Sequence, residues 1–281
     1  MVMKNYINDN KVLNERVDLT FLDWDKIRSS SGTAGSFLKS YMMYKNKKVY
    51  FKLSDYNYVD GIVGHECVNE IIVDRLLTVL GIDHLNYYLI NADIKIENKL
   101  YNTYLCASLD YKNKGESKIT LETYYELNKL NNETILDFCK RLGFSEYVNQ
   151  MILVDYLILN RDRHGANIEV LINNKTMEKR FAPLFDHGLS FICRVLDESL
   201  IDKVDVLEDK RTNSFLGSAS TYENLLKLSK DELPKVNKLE KTDKEYIFYD
   251  LEKVISKKRI DKIWEMIWKR WCVYEDLCNK E

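Results

Sequence analysis

A small β-rich lobe followed by a larger, mostly helical one, an α+β arrangement in two lobes, is the architecture this sequence predicts. Three observations carry it. Up to residue 108, apolar residues cluster in short runs rich in β-branched and aromatic side chains, with one helical stretch among them. From Thr120 onward they recur every three or four residues. Between these regimes lies the polar stretch Asp110 to Ser117, read as a linker, so the lobes divide as 1–108 and 109–281. A chain of 281 residues has material for such a pair of lobes sharing an interface.

Taken in order, Leu19-Thr20-Phe21-Leu22 leads through Asp25 to Arg28 into Ser29 to Ser36, a loop of small residues. Tyr41 to Tyr44 and Val49 to Leu53 flank the polar run Lys45 to Lys48 and predict a hairpin. Helical periodicity runs from His65 to Leu80, with Val68, Ile71, Ile72, Leu76 and Leu80 on one face, and stops at Gly81. Leu85 to Ile90 and Lys99 to Ala107 are the next β-like runs. Leu121–Leu130, Thr134–Leu142 and Ser145–Leu159 are predicted helices, the last delivering the chain into Asn160 to Asn167. Ile168 to Ile172 and Lys179 to Ala182 predict a hairpin around Asn173-Asn174-Lys175, ending at Asp186. The remainder is predicted helical, closing with the stripe Ile260, Ile263, Trp264, Ile267, Trp271 and Tyr274. There is no internal repeat.

Composition narrows the function. A net charge of -2 gives no argument for a polyanion-binding surface, so nucleic acid is not an expected partner. No run approaches the roughly 18 apolar residues of a membrane span. Met1 to Arg16 lacks the apolar core of a signal peptide, which makes the cytoplasm the expected compartment. The six cysteines are scattered without metal spacing and are read as reduced thiols, mostly buried.

The chemistry is concentrated in Asn160-Arg161-Asp162-Arg163-His164-Gly165-Ala166-Asn167 and Phe185-Asp186-His187-Gly188. An Asp followed five residues later by an Asn, then a distant Asp-x-Gly, is the layout that phosphoryl transfer requires. One carboxylate orients the attacking hydroxyl, while an amide and a second carboxylate hold magnesium on the nucleotide phosphates. Asp162 is therefore the candidate catalytic base, and Asn167 and Asp186 the candidate metal ligands. Lys52, on a predicted strand, is the candidate cation for the phosphates. Its carboxylate partner is Glu66 or Glu70, four apart on one helix face, with Glu70 preferred because Glu66 falls at the helix start. Ser31, Gly32, Thr33, Ala34, Gly35 and Ser36 offer backbone N–H groups and hydroxyls as a phosphate cradle. His164 reads as a brace for the loop rather than a metal ligand, and His187 is likewise not taken as one. Arg161 and Arg163 are candidates for binding phosphate or for ion pairing.

These motifs resemble a known family. Asn160-x-Asp162-x-His164-Gly165-x-Asn167 with Leu184-Phe185-Asp186 resembles the kinase core of the HipA-like serine/threonine kinases, which are related to the phosphatidylinositol 3/4-kinases. Ser30 to Lys39, with His65-Glu66, Glu70 and Arg75-Leu76-Leu77, is similar to the small stand-alone CtkA-type bacterial kinases. The resemblance spans about residues 28 to 190 and is most specific in the Asp162–Asn167 loop. It implies a two-lobed protein-kinase-like fold, ATP and Mg2+ as cofactors, and Lys52, Asp162, Asn167 and Asp186 as working residues. Glu70 and His164 would support the nucleotide side. It also implies a protein substrate phosphorylated on Ser or Thr, with Tyr not separated from them, and self-phosphorylation in the Ser29–Ser36 loop. HipA toxins carry a further N-terminal domain and a DNA-binding antitoxin. The present sequence enters the motif region almost at once, so an antitoxin partner is not implied. A lipid or small-molecule kinase and a catalytically silent nucleotide- or partner-binding module remain the alternatives.

Overall fold

A computed structural model describes residues 11–24, 37–57 and 59–280 of the chain. The N-terminal lobe comprises β1 (Val12–Asp18), β2 (Lys39–Tyr44), β3 (Lys47–Lys52), the short ladder of β4 (Tyr56–Asn57) with β5 (Gly61–Ile62), α1 (Glu66–Leu80), β6 (Tyr87–Ile96) and β7 (Lys99–Leu109). Five of these strands form one sheet in the order β1-β6-β7-β3-β2, antiparallel except for the β1–β6 pair. Strand alternation sorts the side chains. Val49 and Phe51 of β3 join Ile90, Ala92, Ile94, Leu105 and Ala107 in a core on one face, so the pleat turns Lys52 to the other, where α1 lies. The α1 helix stops at Gly81, whose φ of 72° is the left-handed conformation that closes a helix C-terminus.

The C-terminal lobe runs through β8 (Glu116–Thr120), α2 (Leu121–Asn128), α3 (Ile135–Arg141), α4 (Ser145–Leu157), β9 (Asp162–Arg163), β10 (Glu169–Asn173) and β11 (Lys179–Phe181). It continues through β12 (Asn213–Ser214), α5 (Thr221–Leu226), α6 (Asp243–Ile247) and α7 (Lys257–Asn279). Thr120 and Thr134 start α2 and α3 by accepting the backbone N–H groups of Thr123 and Asp137. The main core joins α4 and α7 to α1, and the α7 residues Ile260, Ile263, Ile267, Trp271 and Tyr274 all lie in it.

Two expectations are corrected, and one strand was not foreseen. The polar N-terminal stretch contains β1, an edge strand in which only Val17 is buried, so its pattern carries little signal. The predicted linker is cut short because Glu116 already pairs with Asn173 as β8 lines up against β10; Ile119 is the one apolar residue of that strand. Between Ser190 and Ser256 the chain is largely loops and short turns rather than continuous helix. Buried arginines satisfy its carbonyls there: Arg270 donates to Val206 and Glu208 at 2.9 Å each, and Arg259 to Val195 at 2.7 Å. All six cysteines are free, four of them buried.

Candidate active site

Lys52 closes β3 and reaches across to α1. Its Nζ donates to Asp186 Oδ1 at 2.5 Å and to Glu70 Oε1 at 3.2 Å. Glu66, the other candidate, instead accepts the backbone N–H of Asp55 at 3.1 Å. The carboxylate beside Lys52 is therefore Glu70, whose second oxygen accepts the His187 backbone N–H at 2.9 Å. Burial pushes the Lys52 ammonium down, but Asp186 and Glu70 outweigh it and hold the group well above the usual lysine value. Burial likewise raises Asp186, and the nearby Lys52 and Lys39 charges reverse this, keeping the carboxyl well below the ordinary range. Glu70 remains raised, with burial its dominant influence. Asp186 has a φ of 59°, a left-handed conformation that Asp tolerates better than most residues. Asn69 of α1 fastens the segment beyond it, donating to Gly188 O at 2.8 Å and Ser190 O at 3.2 Å.

The second half of the site follows α4. Arg163, 1% exposed, donates to Asp155 Oδ1 at 2.9 Å through Nη2 and to the carbonyls of Phe185 at 3.0 Å and Asn167 at 3.4 Å through Nη1. One guanidinium thus joins the end of α4, the Asp162–Asn167 loop and the approach to Asp186, which is how residues distant in sequence come together. It is not available to a phosphate. The Arg161 guanidinium is engaged as well, donating to Arg211 O at 2.8 and 3.1 Å. Asn167 Nδ2 donates to the Asp162 carbonyl at 2.9 Å, which leaves the amide oxygen as its presented end. Asp162 is about one-third exposed; its Oδ1 accepts Asn213 Nδ2 at 3.0 Å, and its Oδ2 lies 3.8 Å from His164 Nε2. The Ala166 backbone N–H donates to His164 Nδ1 at 3.2 Å, the loop-bracing bond expected of that residue. Gly165 is required by packing, since a Cβ there would stand 2.5 Å from the Cβ of Glu122.

Two oxygen donors, the Asn167 amide and the Asp186 carboxylate, suit a hard divalent cation that completes its shell with phosphate and water. The two carboxylates at Lys52 outnumber its one ammonium, a surplus that a cation beside Asp186 would relieve. The residues present fit magnesium. His187 offers it nothing: its ring is buried, burial pushes its imidazole well below the usual value, and Nε2 has no partner among the described residues.

The proposed cradle residues Ser31, Gly32, Thr33, Ala34, Gly35 and Ser36, with Ser29 and Ser30, lie outside the described residues. Among the others, Lys52, Glu70 and Asp186 meet directly, and Asp162, His164 and Asn167 share the adjoining loop. Sequence reading missed Asn69, Tyr87, Asp155 and Asn213. Tyr87 receives the Asp186 N–H at 3.3 Å. Only Asp155 left a signal, as a carboxylate in the otherwise apolar run Leu153 to Leu157, where burial demands a partner. Asn213 opens the two-residue strand β12 within a polar stretch of sequence that has no periodicity to mark it.

No protein-family model matches the chain, and no curated protein matches it. Among solved structures it is similar to the Helicobacter pylori proinflammatory kinase CtkA, with 16% identity and a TM-score of 0.64 over 95% of this chain and 100% of that one. HipA, solved with HipB and operator DNA in the Shewanella oneidensis MR-1 toxin–antitoxin system, aligns at 12% identity and a TM-score of 0.42, over 92% of this chain and 69% of that one. The Golgi casein kinase gives 14% identity and a TM-score of 0.42, over 86% and 71%. The likeness to the Helicobacter kinase shows the fold: a kinase-like α+β architecture with a β-sheet N-terminal region and a helical C-terminal region. The two more distant alignments add nothing to that.

Proposed function

We propose that the protein is an ATP- and magnesium-dependent protein kinase that passes the γ-phosphate to Ser or Thr hydroxyls, its own among them. The observation that carries this reading is the meeting of Lys52, Glu70 and Asp186, from three separate segments, beside the Asp162–Asn167 loop of a kinase-like fold. In phosphoryl transfer a protein contributes mainly positioning and charge compensation. Lys52, kept charged by two carboxylates, is suited to phosphate oxygens, and Glu70 fixes its direction. Asn167 and Asp186 would hold magnesium, which when bound offsets the charge of the phosphates. Asp162 orients the acceptor hydroxyl and takes its proton. The serines of the Ser29–Ser36 loop are the expected acceptors in self-phosphorylation, to be checked by phosphopeptide mapping.

Intact-mass analysis after incubation with Mg-ATP tests the reading. Wild type should gain mass in multiples of one phosphate. Asp162→Asn keeps the shape but not the base, and should gain none while still binding Mg-ATP. Equal gain in both removes Asp162 as the base. Transfer confined to lipid or small-molecule acceptors would take the reading away from proteins.

A further inference from the structure

We infer that Asn213 is a positioning residue for Asp162, fixing one carboxylate oxygen so that the other is left to face the acceptor hydroxyl. This deepens the kinase reading and rests on it. The Asp162 side chain is about one-third exposed at the mouth of the site, and a carboxylate so placed rotates freely unless something holds it. Two groups flank it. The Asn213 amide donates to Oδ1 at 3.0 Å, while Oδ2 is turned toward His164 Nε2 at 3.8 Å. Oδ1 is occupied by the Asn213 amide, and Oδ2, at 3.8 Å from His164 and so beyond hydrogen-bond reach of it, is the oxygen presented for proton transfer.

Asn213 is itself held in place. Its strand, β12, runs parallel to β9, with Asn213 opposite Asp162 and Ser214 opposite Arg163. The Asn213 N–H donates to Arg161 O at 3.0 Å and the Phe215 N–H to Arg163 O at 2.9 Å, so the backbone is anchored on both sides of the amide. Arg161 clamps the segment through Arg211 O, and the Thr212 N–H donates to Ala219 O at 2.8 Å across the base of the loop. Thr221 and Ser220 bond Asp209 at the loop's other end. The chemistry of the choice is also informative. An amide is a neutral donor, and it fixes a carboxylate without adding the positive charge that would weaken it as a base. An Arg or Lys at this place would fix Asp162 and disarm it.

The test compares Asn213→Ala, Asn213→Asp and Asn213→His by steady-state transfer to a peptide acceptor, with melting temperature and Mg-ATP binding measured in parallel. The alanine variant should lose about 10- to 100-fold in kcat, the scale of a misplaced catalytic group, with KM for ATP and the melting temperature unchanged. Aspartate, which replaces the donor with a repelling acceptor, should lose more. Histidine, which returns a ring N–H at similar reach, should recover part of the loss. A purely structural role would instead lower the melting temperature in step with the rate, with no order among donor and acceptor replacements. Wild-type kcat in Asn213→Ala or Asn213→Asp overturns this inference alone. A wild-type protein that binds Mg-ATP and transfers no phosphate overturns the kinase reading and this inference together.

Discussion

Glu66 and Glu70 stand one helical turn apart on the same face, and their hydrogen bonds decide which of them serves Lys52. Glu70 touches the ammonium and Glu66 the Asp55 backbone. Glu70→Gln should therefore lower turnover by about tenfold or more, since a misdirected lysine loses the phosphate it is meant to meet. Glu66→Gln keeps an acceptor for Asp55 and should remain close to wild type; steady-state kinetics of the pair distinguishes them. Asp186 contributes differently. Asp186→Asn should weaken Mg-ATP binding by about tenfold, near 1.4 kcal/mol, while binding of ATP without magnesium changes less. Calorimetry with and without the metal reads that difference, and equal losses in both would remove Asp186 as a ligand.

The Asp162–Asn167 loop keeps its shape because Arg163 is buried against Asp155 and spends its remaining donors on the carbonyls of Phe185 and Asn167. Removing one member of a buried pair strands the other charge. Arg163→Met should cost about 3–5 kcal/mol in urea unfolding, and Arg163→Met with Asp155→Leu should recover part of it; additive losses would show that the pair does not act as a unit. How much of this was legible varied with the kind of signal. The α1 helix could be read almost to the residue, because its apolar face repeats and Gly81 ends it. Lys52, Asp162, Asn167 and Asp186 stood out because their residue types and order match what phosphoryl transfer would need. By contrast, β8 and β1 were missed because edge-type strands carry few apolar residues, and a polar Glu-Ser-Lys-Ile-Thr does not announce a partner strand. The segment from Ser190 to Ser256 was read as helix because nothing local shows that arginines from α7 would take its carbonyls. Asn213 was invisible for the same reason: its meaning comes from what lies across the loop.

Across the whole molecule, His65 links stability to pH. Burial and the nearby Arg259 lower its imidazole from 6.5 to about 4. Between those values the unfolded chain binds the proton that the folded chain refuses, so this residue's contribution to stability falls as pH drops through the window. His65→Gln should show a shallower loss of unfolding free energy from pH 6.5 to about 4 than wild type; identical slopes would place the acid sensitivity elsewhere. The same helix start leads into α1, which lies on the sheet of one lobe yet packs in the core of the other. Arg75 donates to Ile247 O at 3.1 Å and to Tyr249 O at 2.7 Å, and Asn69 and Glu70 hold the segment after Asp186. Glu70 is therefore tied to the segment after Asp186, while Lys52 closes a strand whose Val49 and Phe51 belong to a separate core, and α1 meets that strand through Cys67, whose Sγ donates to Lys52 O at 3.1 Å. On the kinase reading, any shift of one core against the other would register first between Lys52 and Glu70, with the bond from the His187 N–H to Glu70 left in place.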